Sequence, residues 1–70
     1  MQRERVDSSS LASVGYDGKS HTLEVQFRNG GVYQYLEVPE DEVRHFLTSD
    51  SLGRYLNENI KASYSCRKLN

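Results

Sequence analysis

Cys66, His21 and His45 are the side chains of this sequence best suited to nucleophilic or proton-transfer chemistry near neutral pH. A working thiolate needs an adjacent base and a group that orients that base. No spacing in the chain supplies that arrangement, and a small packed thiol near the C-terminus is the simpler reading of Cys66. His45 lies beside Phe46 at the edge of a helical apolar stripe, and His21 lies in or near a turn, so both read as surface histidines. One cysteine and two distant histidines make no zinc signature. Glu40, Asp41 and Glu42 are consecutive, and consecutive helical residues point in different directions, so helix capping explains them better than a metal site or an acid–base pair. Asn29-Gly30-Gly31 lacks the Lys, the Ser or Thr and the following helix of a phosphate-cradling loop, and reads as a hairpin turn. The expectation is a chain that is not an enzyme, with no metal, no cofactor and no evident small-molecule substrate.

The tyrosines carry more information. Five of the 70 residues are Tyr, against two Phe and no Trp. Aromatic rings displayed on an open sheet face stack on unpaired bases while nearby Arg and Lys hold the phosphates. Tyr33 and Tyr35 share one face of a strand, and Arg28, Arg54, Lys61, Arg67 and Lys68 are available as cations. The competing reading is that the tyrosines complete a core short of aliphatic side chains, with their hydroxyls reaching the surface. That shortage is real. Only sixteen residues are Val, Leu, Ile or Phe, in a chain that is 36% apolar overall.

Bulk properties narrow the classes further. Nine basic and ten acidic residues give a net charge of −1, which argues against a polybasic nucleic-acid arm. Placement is uneven: residues 37–58 carry six acids against Arg44 and Arg54, whereas residues 59–70 carry Lys61, Arg67 and Lys68 and no acidic side chain. Seventy residues suit one small domain. The longest apolar run is two residues, far short of the ~20 of a membrane helix. Met1–Arg5 has no apolar stretch behind it, unlike a secretory signal, and the lone cysteine suits a reducing compartment, so a cytoplasmic location is expected.

The elements that must position these residues follow from periodicity. Residues 1–5 read as a disordered lead-in and 6–70 as one domain. Leu11 to Tyr16 reads as a strand, Asp17-Gly18 as a turn, and Thr22 to Arg28 as the best strand, because Leu23, Val25 and Phe27 alternate strictly with polar residues. Val32 to Leu36 reads as the third strand. A two-residue Asn29-Gly30 loop would put Val32, Gln34 and Leu36 on the core face. A three-residue Asn29-Gly30-Gly31 loop, with Gly31 left-handed, would set Phe27 opposite Tyr33 and put Tyr33 and Tyr35 there instead. The second is favoured, since two tyrosines bury more apolar area than a set containing Gln34. Val38-Pro39 opens a helix with Val43, Phe46 and Leu47 as its apolar stripe. Ser49-Asp50-Ser51 then caps a second helix that buries Leu52, Tyr55, Leu56 and Ile60. Gly53 weakens that helix by up to ~1 kcal/mol relative to Ala, which predicts a close contact at the missing side chain. Beyond Lys61 the chain reads as extended, with Tyr64, Cys66 and Leu69 as packing residues. The expected architecture is α+β: a three-stranded antiparallel meander packed against two short helices, with a C-terminal extended segment.

This order of landmarks resembles the KTSC domain, a family named for its occurrence at the C-terminus of some lysyl-tRNA synthetases and found also as short stand-alone proteins. The resemblance runs from about residue 6 to 69. It is carried by Val6 to Asp17, by Leu23 to Pro39 with its Tyr-x-Tyr at 33–35, by Ser51 to Lys61, and by Arg67-Lys68-Leu69. It singles out Tyr33, Tyr35, Gly53, Arg54, Asn57 and Ile60. Gly53 and Ile60 are read as structural, Asn57 as bonding a buried backbone group, and Arg54 as the motif residue best placed for an external ligand. The resemblance implies RNA binding, from attachment to a synthetase, and brings no catalytic residues. Two functional readings therefore stand. One is a non-catalytic module for single-stranded or structured RNA using Tyr33, Tyr35, Arg54, Lys61, Arg67 and Lys68. The other is a protein-interaction or adaptor module, or a small homo-oligomer, that meets a protein partner or a second copy through a strand edge or apolar patch.

Overall fold

The alternation in Thr22–Phe27 builds the centre of the sheet. In the computed structural model, which describes residues 2–70, this strand (β3) pairs on one side with β2 (Leu11–Asp17) and on the other with β4 (Val32–Tyr35), all antiparallel. The meander extends one strand further on each side than the sequence predicts. Glu4–Arg5 forms β1 against β2, and Cys66–Lys68 forms β5 against β4, giving a five-stranded sheet in the order β1-β2-β3-β4-β5. The expectation of a disordered lead-in over residues 1–5 is therefore corrected at Glu4 and Arg5, while Met1 lies outside the described residues. The C-terminal extended segment is likewise a paired strand.

The hairpin between β3 and β4 decides which side chains face the core. Val25 stands opposite Tyr33 and Leu23 opposite Tyr35, so both tyrosines share the face of Leu23, Val25 and Phe27, as expected. The turn itself sits one residue earlier than predicted. Phe27 N–H donates to the Gly31 carbonyl at 2.8 Å, closing a loop of Arg28, Asn29 and Gly30. Gly30, with φ +97°, takes the left-handed position assigned to Gly31. Both loops hold three residues, so the parity of the faces survives while Phe27 moves two positions, from opposite Tyr33 to opposite Gly31.

The second layer lies on that apolar face. Helix α1 (Glu40–Leu47) follows Pro39 and carries Glu40, Asp41 and Glu42 in its first turn, where they oppose the positive end of the helix dipole. Ser51 caps α2 (Leu52–Tyr55) by accepting the Arg54 N–H at 3.3 Å. The chain then widens into a π turn, Leu56–Ile60, closed by Lys61 N–H donating to the Leu56 carbonyl at 2.7 Å. Leu56 and Ile60 are both buried there.

Leu11, Val14, Leu23, Val25, Tyr35, Val38, Val43, Phe46, Leu56 and Ile60 form one continuous core, with Leu52 and Tyr55 half-buried against it. Gly53 makes the close approach its sequence position predicts: a Cβ there would meet the Ser10 side chain at 3.0–3.1 Å. Four packing expectations are corrected. Leu47, the last residue of α1, is 49% exposed, as is Leu69, whose backbone rather than side chain is engaged, by an N–H to the Val32 carbonyl. Cys66 and Asn57 are exposed.

Candidate nucleic-acid interface

Three of the five tyrosines tie elements together through their hydroxyls. Tyr16 donates to the Val38 carbonyl at 2.6 Å, joining β2 to the lead into α1. Tyr55 and Tyr64 both donate to the Glu42 carboxylate, one to each oxygen, the second at 3.2 Å. The hydrogen bond to Glu42, together with desolvation, pushes the Tyr55 phenol up to about 12. Tyr64 is raised mainly by burial and then by the same carboxylate. These three are structural phenols.

Tyr33 and Tyr35 serve differently. Register places Tyr33 opposite Lys68 and Tyr35 opposite Cys66 across the β4–β5 ladder, so all four side chains lie on the helix-bearing face. Tyr35 is 1% exposed, and its ring is part of the core. Tyr33 is half-buried, packs edge-to-face on Phe27 with centroids 5.4 Å apart, and has the Lys68 Nζ 6.0 Å from its ring centre. Two clefts meet at Tyr33 and share Asn29 as well. One, of ≈ 280 Å³, is lined by Phe27, Asn29, Tyr33, Tyr35, Lys61 and Cys66. The other, of ≈ 420 Å³, is lined by Asn29, Gly30, Gly31, Tyr33, Lys68 and Asn70. Neither lining contains a carboxylate side chain or an imidazole.

Of the six residues singled out by the sequence, Tyr33, Tyr35, Lys61 and Lys68 are gathered around these clefts and Arg54 and Arg67 are not. Arg54 lies on α2 and its Nε meets Glu58 at 3.3 Å, an exposed i,i+4 pair. Arg67 points to the opposite face of the sheet, where it donates to Gln34 Oε1 at 3.0 Å. There it ends a polar row in which Gln34 Nε2 donates to Glu24 at 2.9 Å and Arg3 pairs with the other Glu24 oxygen at 2.6 Å. Sequence reasoning placed Phe27 in the core, Asn29 in a turn and Cys66 in packing. Only the β4–β5 pairing brings Cys66 and Lys68 beside the other two, and three polar residues carry no periodicity to announce that pairing.

Elsewhere the surface is less specific. A groove of ≈ 1070 Å³ runs between the N-terminal strand and α1, past Tyr16, Val43 and Leu47. Among the described residues no group of three or more His, Cys, Asp or Glu could hold a metal ion, and no helix is long and apolar enough to cross a membrane.

A five-stranded meander with one helical layer defines a small α+β domain. Residues 7–64 match the model of the KTSC domain, and the chain belongs to that family. A KTSC domain protein from Yersinia pestis, known from a crystal structure, superposes with a TM-score of 0.93 at 45% identity, covering 99% of this chain and 97% of that one. An uncharacterised protein of Stutzerimonas stutzeri is 44% identical over 64 residues, 91% of this chain and 90% of its own length. A lysine–tRNA ligase of Nostoc punctiforme is 29% identical over 63 residues, which are 90% of this chain and 11% of the ligase.

Proposed function

We propose that this domain is a non-catalytic module that binds single-stranded RNA at the Tyr33 clefts. The observation that carries the proposal is one aromatic ring shared by two clefts, with Lys61 lining one and Lys68 the other. A base stacked at Tyr33 contributes about 1–3 kcal/mol. The two ammonium groups track the phosphates on either side of it. Arg54 and Arg67 stand apart from the clefts and carry no part of this reading. A lining without carboxylate or imidazole supports binding over acid–base chemistry, and the tRNA ligase that contains a similar segment is consistent with an RNA partner. Protein association through a sheet edge has less support. The outermost strands hold two and three residues, and both carry charged side chains, features that discourage edge-to-edge pairing.

With two phosphate contacts on a single strand, log K should fall with log salt at a slope of about −1.4. Fluorescence anisotropy with labelled oligoribonucleotides at several salt concentrations measures it. Lys61→Ala and Lys68→Ala should each reduce the slope by about 0.7, and Tyr33→Leu should weaken binding roughly tenfold or more. Arg54→Ala and Arg67→Ala should change little. Absence of binding at low salt refutes the proposal, and equal losses at all five positions refute its location.

A further inference from the structure

We infer that the ≈ 280 Å³ cleft beside Tyr33 selects bases bearing a carbonyl at the discriminating edge position, uracil and guanine, over the amino-bearing cytosine and adenine. This inference rests on the RNA reading and adds base selectivity to it.

Apart from the phenol hydroxyls of Tyr33 and Tyr35, which can donate or accept, the polar side chains lining the cleft turn donors towards it. Asn29 is oriented by its own turn: its Oδ1 accepts the Gly31 N–H at 2.9 Å. A backbone N–H can only donate, so the atom facing it is the oxygen, and the Nδ2 group is left to donate outward. Lys61 carries three donors and no acceptor, and the Cys66 thiol is a weak donor. Tyr35 adds a less obvious group. Its side chain is 99% removed from solvent, yet among the described residues no protein hydrogen bond engages its hydroxyl. Among the described residues no fully buried side-chain oxygen is left unpaired, so this hydroxyl keeps some solvent contact, and Tyr35 lines the cleft. Burial raises its pKa, and the neighbouring Cys66 and Tyr33 raise it further, so the phenol stays protonated and can donate or accept.

A cleft of this size lies just below the roughly 300–1,000 Å³ of drug-sized sites, which fits a single ring system and not a dinucleotide cofactor. A base inserted beside Tyr33 presents its edge to Asn29 Nδ2, Lys61 and the Tyr35 hydroxyl. At the position that separates the base types, O4 of uracil and O6 of guanine accept hydrogen bonds, whereas the amino groups of cytosine and adenine donate them. A donor set facing an amino group leaves both sides unsatisfied, a penalty that typically amounts to 1–3 kcal/mol per base, or roughly tenfold and upward in affinity.

The test uses labelled oligomers of about ten nucleotides, made of uridine, cytidine, adenosine or alternating guanosine and uridine, titrated against the full chain at one low salt concentration. Uridine and guanosine–uridine oligomers should bind roughly tenfold more tightly than the other two. Asn29→Asp keeps an oxygen for the Gly31 N–H and replaces the donor by an acceptor. The added negative charge lowers every affinity, so the readout is the ratio, which should collapse to within about twofold. Tyr35→Phe loses no protein hydrogen bond among the described residues, so it should melt near the wild-type temperature. Because the phenol can donate to a carbonyl or accept from an amino group, its loss should lower the affinities together and leave the ratio in place. Equal binding of all four oligomers overturns the selectivity while leaving the RNA reading intact. A preference that survives Asn29→Asp overturns its assignment to this donor set. No binding of any oligomer overturns the RNA reading and this inference with it.

Discussion

Replacing Gly15 by alanine tests how the first strand is held. Gly15 lies in β2 opposite Glu24, in the row of the outer sheet face where Arg3 must cross β2 to reach the Glu24 carboxylate. A Cβ on Gly15 would collide with the Gln2 carbonyl oxygen and stand 3.0 Å from the Arg3 Cγ. The first of these is backbone and cannot yield without moving the chain, so alanine should lift residues 2–5 off the sheet. The main loss is the 2.6 Å charge-assisted hydrogen bond between Arg3 and Glu24. Such bonds contribute roughly 1.5–3 kcal/mol when sheltered; with the Arg3 side chain 29% exposed, about 1–2 kcal/mol is the better figure. Alanine returns roughly 0.5–1 kcal/mol through its lower backbone entropy in a strand. The net cost centres on about 0.75 kcal/mol, a fall in Tm of roughly 3–6 °C for a domain of this size. Thermal unfolding followed by circular dichroism measures it. Arg3→Ala should cost about 1–2 kcal/mol, and the double variant no more than the worse single one, because both substitutions remove the same contact. In a chain lacking residues 1–5 Gly15→Ala should be neutral or stabilising. A Tm unchanged in the full chain, or losses that simply add, would refute the reasoning.

Two further outcomes follow from the helical layer. The Tyr55 phenol is raised from 10.0 to about 12 by its bond to Glu42; the folded state therefore favours the protonated form, a contribution fully present below about pH 10 and lost as pH rises towards about 12. Stability against urea should decline within that window, where the raised phenols of Tyr16, Tyr35 and Tyr64 add to the effect. Tyr55→Phe should make the decline shallower, and an unchanged profile in that variant would assign the loss to the other groups. Gly53→Ala should gain up to ~1 kcal/mol of helix propensity but push on the Ser10 side chain 3.0–3.1 Å away. Its effect on urea stability should therefore be more favourable in a Ser10→Gly background, and equal effects in both backgrounds would show that the contact is not what keeps glycine there.

Legibility in the sequence tracked how strongly each segment's periodicity speaks. Leu23, Val25 and Phe27 announce a face, and the length of the following loop carries that face to Tyr33 and Tyr35 even though the turn is centred one residue earlier than its glycines suggest. Glu4–Arg5 and Cys66–Lys68 announce nothing, being short and polar; they become strands because β2 and β4 offer open backbone edges. The same blindness divided the candidate cations. Lys68 and Arg67 are adjacent in sequence and look equivalent, yet strand pairing sends one to Tyr33 and the other to Gln34 on the far face. Leu47 fits the helical stripe of Val43 and Phe46 but ends its helix, and at 49% exposure it has run past the core it was expected to join.

A chain so poor in aliphatic side chains forces its tyrosines into a choice between core and surface, and the structure divides the choice within single residues. Tyr16, Tyr55 and Tyr64 lend ring area to the core and spend their hydroxyls on the Val38 carbonyl and Glu42. Tyr35 buries its ring in the core and keeps a hydroxyl without a hydrogen bond among the described residues, while Tyr33 lines two clefts. Completing the core and lining the clefts are therefore compatible, because the rings stabilise through area while the phenols and one ring edge reach the rim. What joins the core to the clefts is β5. Its pairing with β4 delivers Cys66 and Lys68 to the clefts and shields the flank of Tyr35. Its approach is held by Tyr64 on Glu42 and by the Leu36 N–H on the Ser65 carbonyl at 2.9 Å. Loosening that approach, as Tyr64→Phe would, should draw Lys68 away from Tyr33 before it unfolds the core, since Phe46, Leu56 and Ile60 pack without β5. Weaker binding of labelled RNA with an unchanged Tm is the expected result, and a Tm that falls in step with binding would refute it.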